Sequence, residues 1–227
     1  MIERLKSLLG KLETRTLVLL LALAGAPWLF LAVADEVVEG ETAAIDRALL
    51  LALRTPGRPD DPLGPRWLEE AMRDLTALGG FTVLTLATIV AALLLVFHRR
   101  RREAAVFAAT VILAQISANW LKTFYGRERP DLVAHGGYVY SHSFPSGHSA
   151  MAAAVFLTLA TVVASVEPRR RTKALIYALA IGLVVAVGVS RVYLGVHWPT
   201  DVLGGWALGT GWALVGWLVL SLGRRAR

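Results

Sequence analysis

Three polar clusters interrupt the apolar runs of this chain, and together they contain the groups that phosphate chemistry needs. They read Lys122-Thr-Phe-Tyr-Gly-Arg-Glu-Arg129-Pro130, Pro145-Ser146-Gly147-His148, and Ser190-Arg191-x5-His197-x3-Asp201. His197 and Asp201 are four apart, and Pro199-Thr200 between them marks a helix start, so the two side chains share one face. A carboxylate beside an imidazole fixes its tautomer and stabilises its cation, leaving the second ring nitrogen free as nucleophile or base. Ser146 is a natural N-cap and Gly147 permits close backbone approach, so the second cluster opens a helix whose first N–H groups attract anions. His148, in that first turn, is placed to give a proton to a leaving oxygen. Lys122, Arg129 and Arg191 supply cations, and neutralising charge is the main task in phosphoryl transfer.

Each cluster also has a plainer reading when taken alone. His197 and Asp201 could be an interfacial histidine with a capping acid, Ser146-Gly147 an ordinary cap and packing glycine, and the cations residues snorkelling at a bilayer edge. The last reading is adopted for Arg127, and Glu128 and Asp131 are expected to pair with neighbouring cations. His98 lies beside Arg99–Arg102, away from the clusters. His135 and His142 are read as solvated loop residues.

The elements that must position these groups are membrane helices. The 227 residues are 56% hydrophobic with a mean hydropathy of +0.56, outside the soluble globular range. Six runs approach the roughly 20 residues that cross a hydrocarbon core: Thr16–Ala34, Leu78–Phe97, Ala104–Leu121, Gly147–Val166, Ala174–Val189 and Val202–Leu222, the fifth being the shortest. With no cysteine, neither disulfides nor thiolate metal sites are available. The first run passes into an acidic segment without a small-x-small exit, so it does not read as a cleaved signal peptide.

The net charge of +7 follows topology and does not mark a nucleic-acid face. Of 24 Lys and Arg, 15 sit in residues 1–15, Arg99–Arg102, Arg169–Lys173 and Arg224–Arg227. With six crossings those segments share one side, cytoplasmic by the positive-inside rule. Both termini are then inside, and the connections Asp35–Ala77, Lys122–Ser146 and Ser190–Asp201 face outward. The positive-inside reasoning used none of the cluster residues, yet all of them fall on the outer side. The first outer connection carries two helical patterns, Ala44–Ala52 and Trp67–Leu75, around a breaker-rich loop from Thr55 to Pro65. Two short interfacial helices are expected there, read as a connector packed on the bundle in preference to the border of a lipid entrance. The chain is thus expected to be all-α, a single membrane-embedded unit over 1–227 with a motif-bearing core near 104–222 and the 35–77 segment as outer connection.

The three clusters, in order over Lys122–Asp201, resemble the type 2 phosphatidic acid phosphatase superfamily. Its signature is Lys-x6-Arg-Pro, Pro-Ser-Gly-His and Ser-Arg-x5-His-x3-Asp, and this chain matches it without a departure. The resemblance implies that His197 is a nucleophile forming a phosphohistidine, supported by Asp201. It implies that His148 protonates the leaving group, and that Lys122, Arg129, Ser146, Gly147 and Arg191 bind the phosphate. It implies neither metal nor other cofactor. The expected partners are a lipid phosphate substrate and membrane lipids, with no nucleic acid, at a bacterial inner membrane. Undecaprenyl diphosphate is the first choice of substrate; phosphatidylglycerol phosphate, phosphatidic acid and lipid A 1-phosphate stay open. The rivals are a lipid phosphotransferase, a soluble vanadate-dependent haloperoxidase, disfavoured by the six crossings, and a non-catalytic anion-binding or transport protein, disfavoured by spans almost free of mid-span charge.

Overall fold

A computed structural model describes residues 14–132 and 141–225, with side chains described between 24 and 222. The basic residues before Thr14, and His135, lie outside the described residues. Eight helices follow in order: α1 Thr14–Glu39, α2 Ala43–Leu51, α3 Arg66–Ala77, α4 Phe81–Phe97, α5 Arg101–Tyr125, α6 Gly147–Ala164, α7 Arg170–Tyr193 and α8 Pro199–Arg225. Four of them, α5 to α8, are long and apolar enough to cross a membrane. The pair α3 and α4, bent by 48° at a short break, makes a fifth candidate if counted as one span. The fifth apolar run, the shortest in sequence, belongs to the 24-residue α7. α4 alone has 17 residues, or about 26 Å at 1.5 Å per residue.

Large apolar side chains stand exposed along these helices, among them Phe97 at 79%, Phe81 at 71% and Trp28 at 69%. Such a surface is stable in lipid and is not tolerated in water. The chain is an integral membrane protein.

The core is built around α6, which packs against α5, α7 and α8. Its Ala150, Ala152, Ala153 and Ala154 are fully buried. Small residues let helix backbones approach closely, the usual basis of packing where lipid removes the hydrophobic drive. α8 answers with Gly205 and Gly209: a methyl group at Gly209 would overlap the Ala150 carbonyl.

At one end of the bundle Arg100 donates to Ser165 Oγ at 2.9 Å, and Arg102 donates to the Val219 carbonyl at 2.6 Å. This gathers the 98–101 connection, the end of α6 and the last turns of α8. The opposite end holds residues 126–132, 141–146 and 194–198 together with α2 and α3.

The two short helices expected in the first outer connection are α2 and α3. The expected loop between them is instead a two-stranded hairpin, β1 Arg54–Thr55 with β2 Arg58–Pro62, paired antiparallel. Pro56 and Gly57 (φ +77°) occupy its turn, and Pro followed by a positive-φ glycine is the requirement of a type II turn. The breakers here close a hairpin; they do not leave a coil.

Candidate active site

The site is assembled where three helix ends meet a loop. α5 stops at Gly126, whose φ of +59° is the left-handed conformation that ends helices. The chain then turns across the bundle, carrying Arg127 and Arg129 just after Lys122 in the last turn of α5. Ser146 caps α6, its Oγ accepting from the Ser149 N–H at 3.4 Å and from Ser149 Oγ at 3.0 Å. Its own N–H donates to the Asp201 carbonyl at 2.8 Å, which fastens the start of α6 to the start of α8.

α8 begins at Pro199, and Asp201 reaches back to accept the Trp198 N–H at 2.9 Å. That is the carboxylate half of a capping box, and it explains the spacing. The acid that caps the helix also accepts from His197 Nδ1 at 3.1 Å. His197 is 1% exposed and Asp201 fully buried.

With Nδ1–H donated to Asp201, His197 presents a lone pair on Nε2. That nitrogen accepts from Arg129 Nη1 at 3.2 Å. Arg129 is held from two further directions, by the Ser141 carbonyl at 2.8 Å and the Val196 carbonyl at 2.6 Å. Burial lowers the Arg129 pKa, with Asp201 opposing the shift. Lys122 Nζ donates to the His142 carbonyl at 2.6 Å, and Gly147 lies beside the Lys122 stem. Arg191 donates to Thr76 Oγ1 at 2.8 Å, while its buried Nε has no partner among the described residues. Burial, and then the charges of Arg191, Lys122 and Arg129 and the ring of His148, hold His197 well below its ordinary pKa. All eight residues singled out in the sequence therefore lie at one end of the bundle, where Arg129 contacts His197 and the other two cations and His148 act on it electrostatically.

An apolar cavity of about 470 Å³ leads up to this cluster between α4, α5 and α6. Phe81, Leu84, Ile89, Val111 and Met151 line it, and Gly147 and His148 stand at its polar end. Among the described residues no group of three or more His, Cys, Asp or Glu is arranged to hold a metal ion.

Three expectations require correction. Arg127 is not a snorkelling residue at a bilayer edge. Its guanidinium joins Asp201 Oδ1 and Asp46 Oδ2, both at 2.7 Å, with its side chain only 16% exposed. Neither Glu128 nor Asp131 ion-pairs among the described residues; Glu128 instead contributes its carbonyl to Ser143 Oγ and Trp198 Nε1. The first outer connection is more than a connector, since α2 delivers Asp46 to the site. His142 is exposed as expected, although its carbonyl is a Lys122 partner. Asp46, Ser143 and Thr200 were missed altogether. The one signal for Asp46 is an acid sharing a helical face with Leu50, four residues on.

A family model for the PAP2 superfamily matches residues 103–225. The chain belongs to that superfamily. Phosphatidylglycerophosphatase B of Bacillus subtilis (strain 168) is 34% identical over 183 residues, covering 78% of this chain and 82% of that one. The crystal structure of the first transmembrane PAP2 type phosphatidylglycerolphosphate phosphatase from Bacillus subtilis superposes with a TM-score of 0.74 at 30% identity. That match covers 91% of this chain and 98% of the other. A lipid A 1-phosphatase of Rhizobium etli is 35% identical over 112 residues, 45% of this chain and 44% of its own. An undecaprenyl-diphosphatase of Sulfolobus acidocaldarius is 32% identical over 109 residues, 46% and 47%. This PAP2 protein is a membrane-embedded phosphatase.

Proposed function

We propose that this PAP2 protein removes a phosphate from a membrane lipid, through a phosphohistidine on His197 and without a metal ion. One observation carries the reading. A buried imidazole, tied through Nδ1 to Asp201, sets its other nitrogen against Arg129 and lies in the field of Lys122 and Arg191, while the neighbouring His148 lines the end of an apolar cavity. A lipid chain fits such a cavity, and its phosphate would then meet Lys122, Arg129, Arg191 and the first N–H groups of α6. His197 Nε2 attacks phosphorus, and the bond to the leaving oxygen breaks as His148 gives that oxygen a proton. Water then attacks the phosphohistidine, giving its proton to His148 and releasing inorganic phosphate. Arginine and lysine neutralise the charge that builds on the phosphoryl oxygens, the role a divalent cation has in many other phosphoryl-transfer enzymes.

The substrate is a lipid phosphomonoester or diphosphate. Undecaprenyl diphosphate is the first choice from sequence. Phosphatidylglycerol phosphate stands beside it, because the likeness to the phosphatidylglycerophosphatase runs over most of both chains. The relatives carry three different lipid names, so likeness to them does not select the lipid. The whole chain is taken as one functional unit, with six crossings, an outward-facing site and an inner-membrane location.

The test is phosphate release in detergent from undecaprenyl diphosphate, phosphatidylglycerol phosphate, phosphatidic acid and lipid A 1-phosphate, each with and without excess EDTA. Release from at least one of them, unchanged by EDTA, is the expected result. No release from any lipid would overturn the function, and loss on chelation restored by Mg²⁺ would overturn the metal-free mechanism. A lipid hydroxyl acceptor added to the same assay, with products separated by thin-layer chromatography, distinguishes hydrolysis from phosphotransfer.

A further inference from the structure

We infer that Asp46 and Arg127 are positioning residues of the catalytic centre, a buried charge chain that sets the geometry of the His197–Asp201 pair, Asp46 from outside the family motifs and Arg127 from an unspecified position within the first of them. The inference rests on the phosphatase reading above. Asp46 lies in α2, well before the matched region at 103–225.

Arg127 has no donor left to offer a phosphate from its two terminal nitrogens. Nη1 donates to Thr200 Oγ1 at 2.8 Å and to Asp201 Oδ1 at 2.7 Å. Nη2 donates to Thr42 Oγ1 at 3.3 Å and to Asp46 Oδ2 at 2.7 Å. Its guanidinium carbon also stands 5.8 Å from the centre of the Trp198 ring. Four bonds of this kind anchor a planar fork in one orientation, which an ammonium cannot reproduce. Arg127 is therefore structurally committed to the two carboxylates, unlike Arg129, which contacts His197.

Asp46 completes the arrangement by acting as a remote cap for α8. Its Oδ1 accepts the Thr200 N–H at 2.9 Å, and its Oδ2 accepts Thr200 Oγ1 at 2.6 Å. Pro199 has no N–H and Trp198 has no capping side chain. Two N–H groups at the start of α8 are thus met by carboxylates, Trp198 by Asp201 and Thr200 by Asp46, with Arg127 bridging the two acids. Asp201 sits inside that turn and His197 just before it. Whatever tilts the first turn moves both the nucleophile and its support. A misplacement of about 1 Å near the chemistry can cost about 10²-fold in rate.

The test is kcat and KM for phosphate release from the best lipid of the panel, for wild type, Asp46→Asn, Arg127→Gln, Arg127→Lys and the double variant Asp46→Asn/Arg127→Gln. Arg127→Gln is expected to lower kcat about 10²-fold and Asp46→Asn about 10-fold, with KM within about threefold of wild type. Arg127→Lys should recover little, since it cannot span both carboxylates. The double variant should be no worse than Arg127→Gln, because both changes cut one chain. Gel filtration in detergent and Tm accompany each variant. If Arg127→Gln does not yield a monodisperse protein, Asp46→Asn and Arg127→Lys carry the measurement. Near-wild-type kcat in the single variants, a rise in KM at constant kcat, or losses that multiply in the double variant would each overturn the positioning role. A wild type that releases no phosphate would overturn the phosphatase reading as well, so the two failures are distinct.

Discussion

At the residue scale, the two histidines differ in what they touch, and their losses should differ accordingly. His197 sets its free nitrogen against Arg129, so His197→Ala should abolish turnover of every substrate, since no covalent intermediate can form. His148 stands where the apolar cavity reaches the site, and His148→Ala should cost about 10²–10⁴-fold on a lipid phosphate. On an aryl phosphate, whose leaving oxygen needs little protonation, the loss should be much smaller. Equal losses on both leaving groups would refute the acid role of His148. A second expectation concerns pH. Burial and the surrounding cations hold His197 neutral in the folded protein below its ordinary pKa, whereas the unfolded chain takes up that proton below about pH 6.5. The unfolded state then binds more protons, so stability falls as pH drops through that range. The Tm in detergent should therefore decline from pH 7 to pH 5, and His197→Gln should flatten part of the decline; identical slopes would contradict the burial effect. Lys122, Arg129, Ser146, Gly147, His148, Arg191, His197 and Asp201 could be singled out in the sequence because their types and spacing are local. Asp46 was not, since its partner Thr200 lies 154 positions away, and Arg127 was misread because nothing local tells a bridging guanidinium from an exposed one.

At the element scale, the cavity between α4, α5 and α6 is where an acyl or prenyl chain would lie. Ala92 on α4 and Ala108 on α5 both line it, and their small side chains leave it its width. Ala92→Trp should fill part of that space. Turnover of a long-chain lipid phosphate is expected to fall at least about 5-fold, the low end of what overpacking by one large side chain costs, while that of a water-soluble aryl phosphate stays near wild type. A parallel loss on both substrates would place the lipid elsewhere. The helices themselves were legible from hydropathy, because a run long enough to cross the bilayer leaves few alternatives. The Thr55–Pro65 hairpin was not, because Pro and Gly signal a turn without showing whether the flanking residues pair. The central place of α6 was foreshadowed only by its alanines, which mark close packing but not the partner.

At the scale of the whole molecule, the basic connections and the active site occupy opposite ends of one bundle. The hydrogen bonds of Arg100 to Ser165 and of Arg102 to Val219 bring together one end each of α5, α6 and α8. At the other end, the Ser146 N–H on the Asp201 carbonyl joins the starts of α6 and α8. Charge decides which end faces the cytoplasm. Arg99–Arg102 and Arg169–Lys173 flank the first end with eight cations in two short connections, and short cationic loops resist translocation. The proposed topology holds that end inside, which would open His197 outward and require α1 and the α3–α4 pair to complete six crossings. A reporter that is active only outside the membrane should therefore work when fused after Asp131 and fail when fused after Arg100. Fused after Arg171 it should fail again, because one crossing, α6, separates it from Asp131 and α7 has yet to return the chain to the site's side. Activity after Arg100 with silence after Asp131 would invert the bundle. The phosphatase would then draw its lipid from the inner leaflet, and the extracytoplasmic site would be excluded.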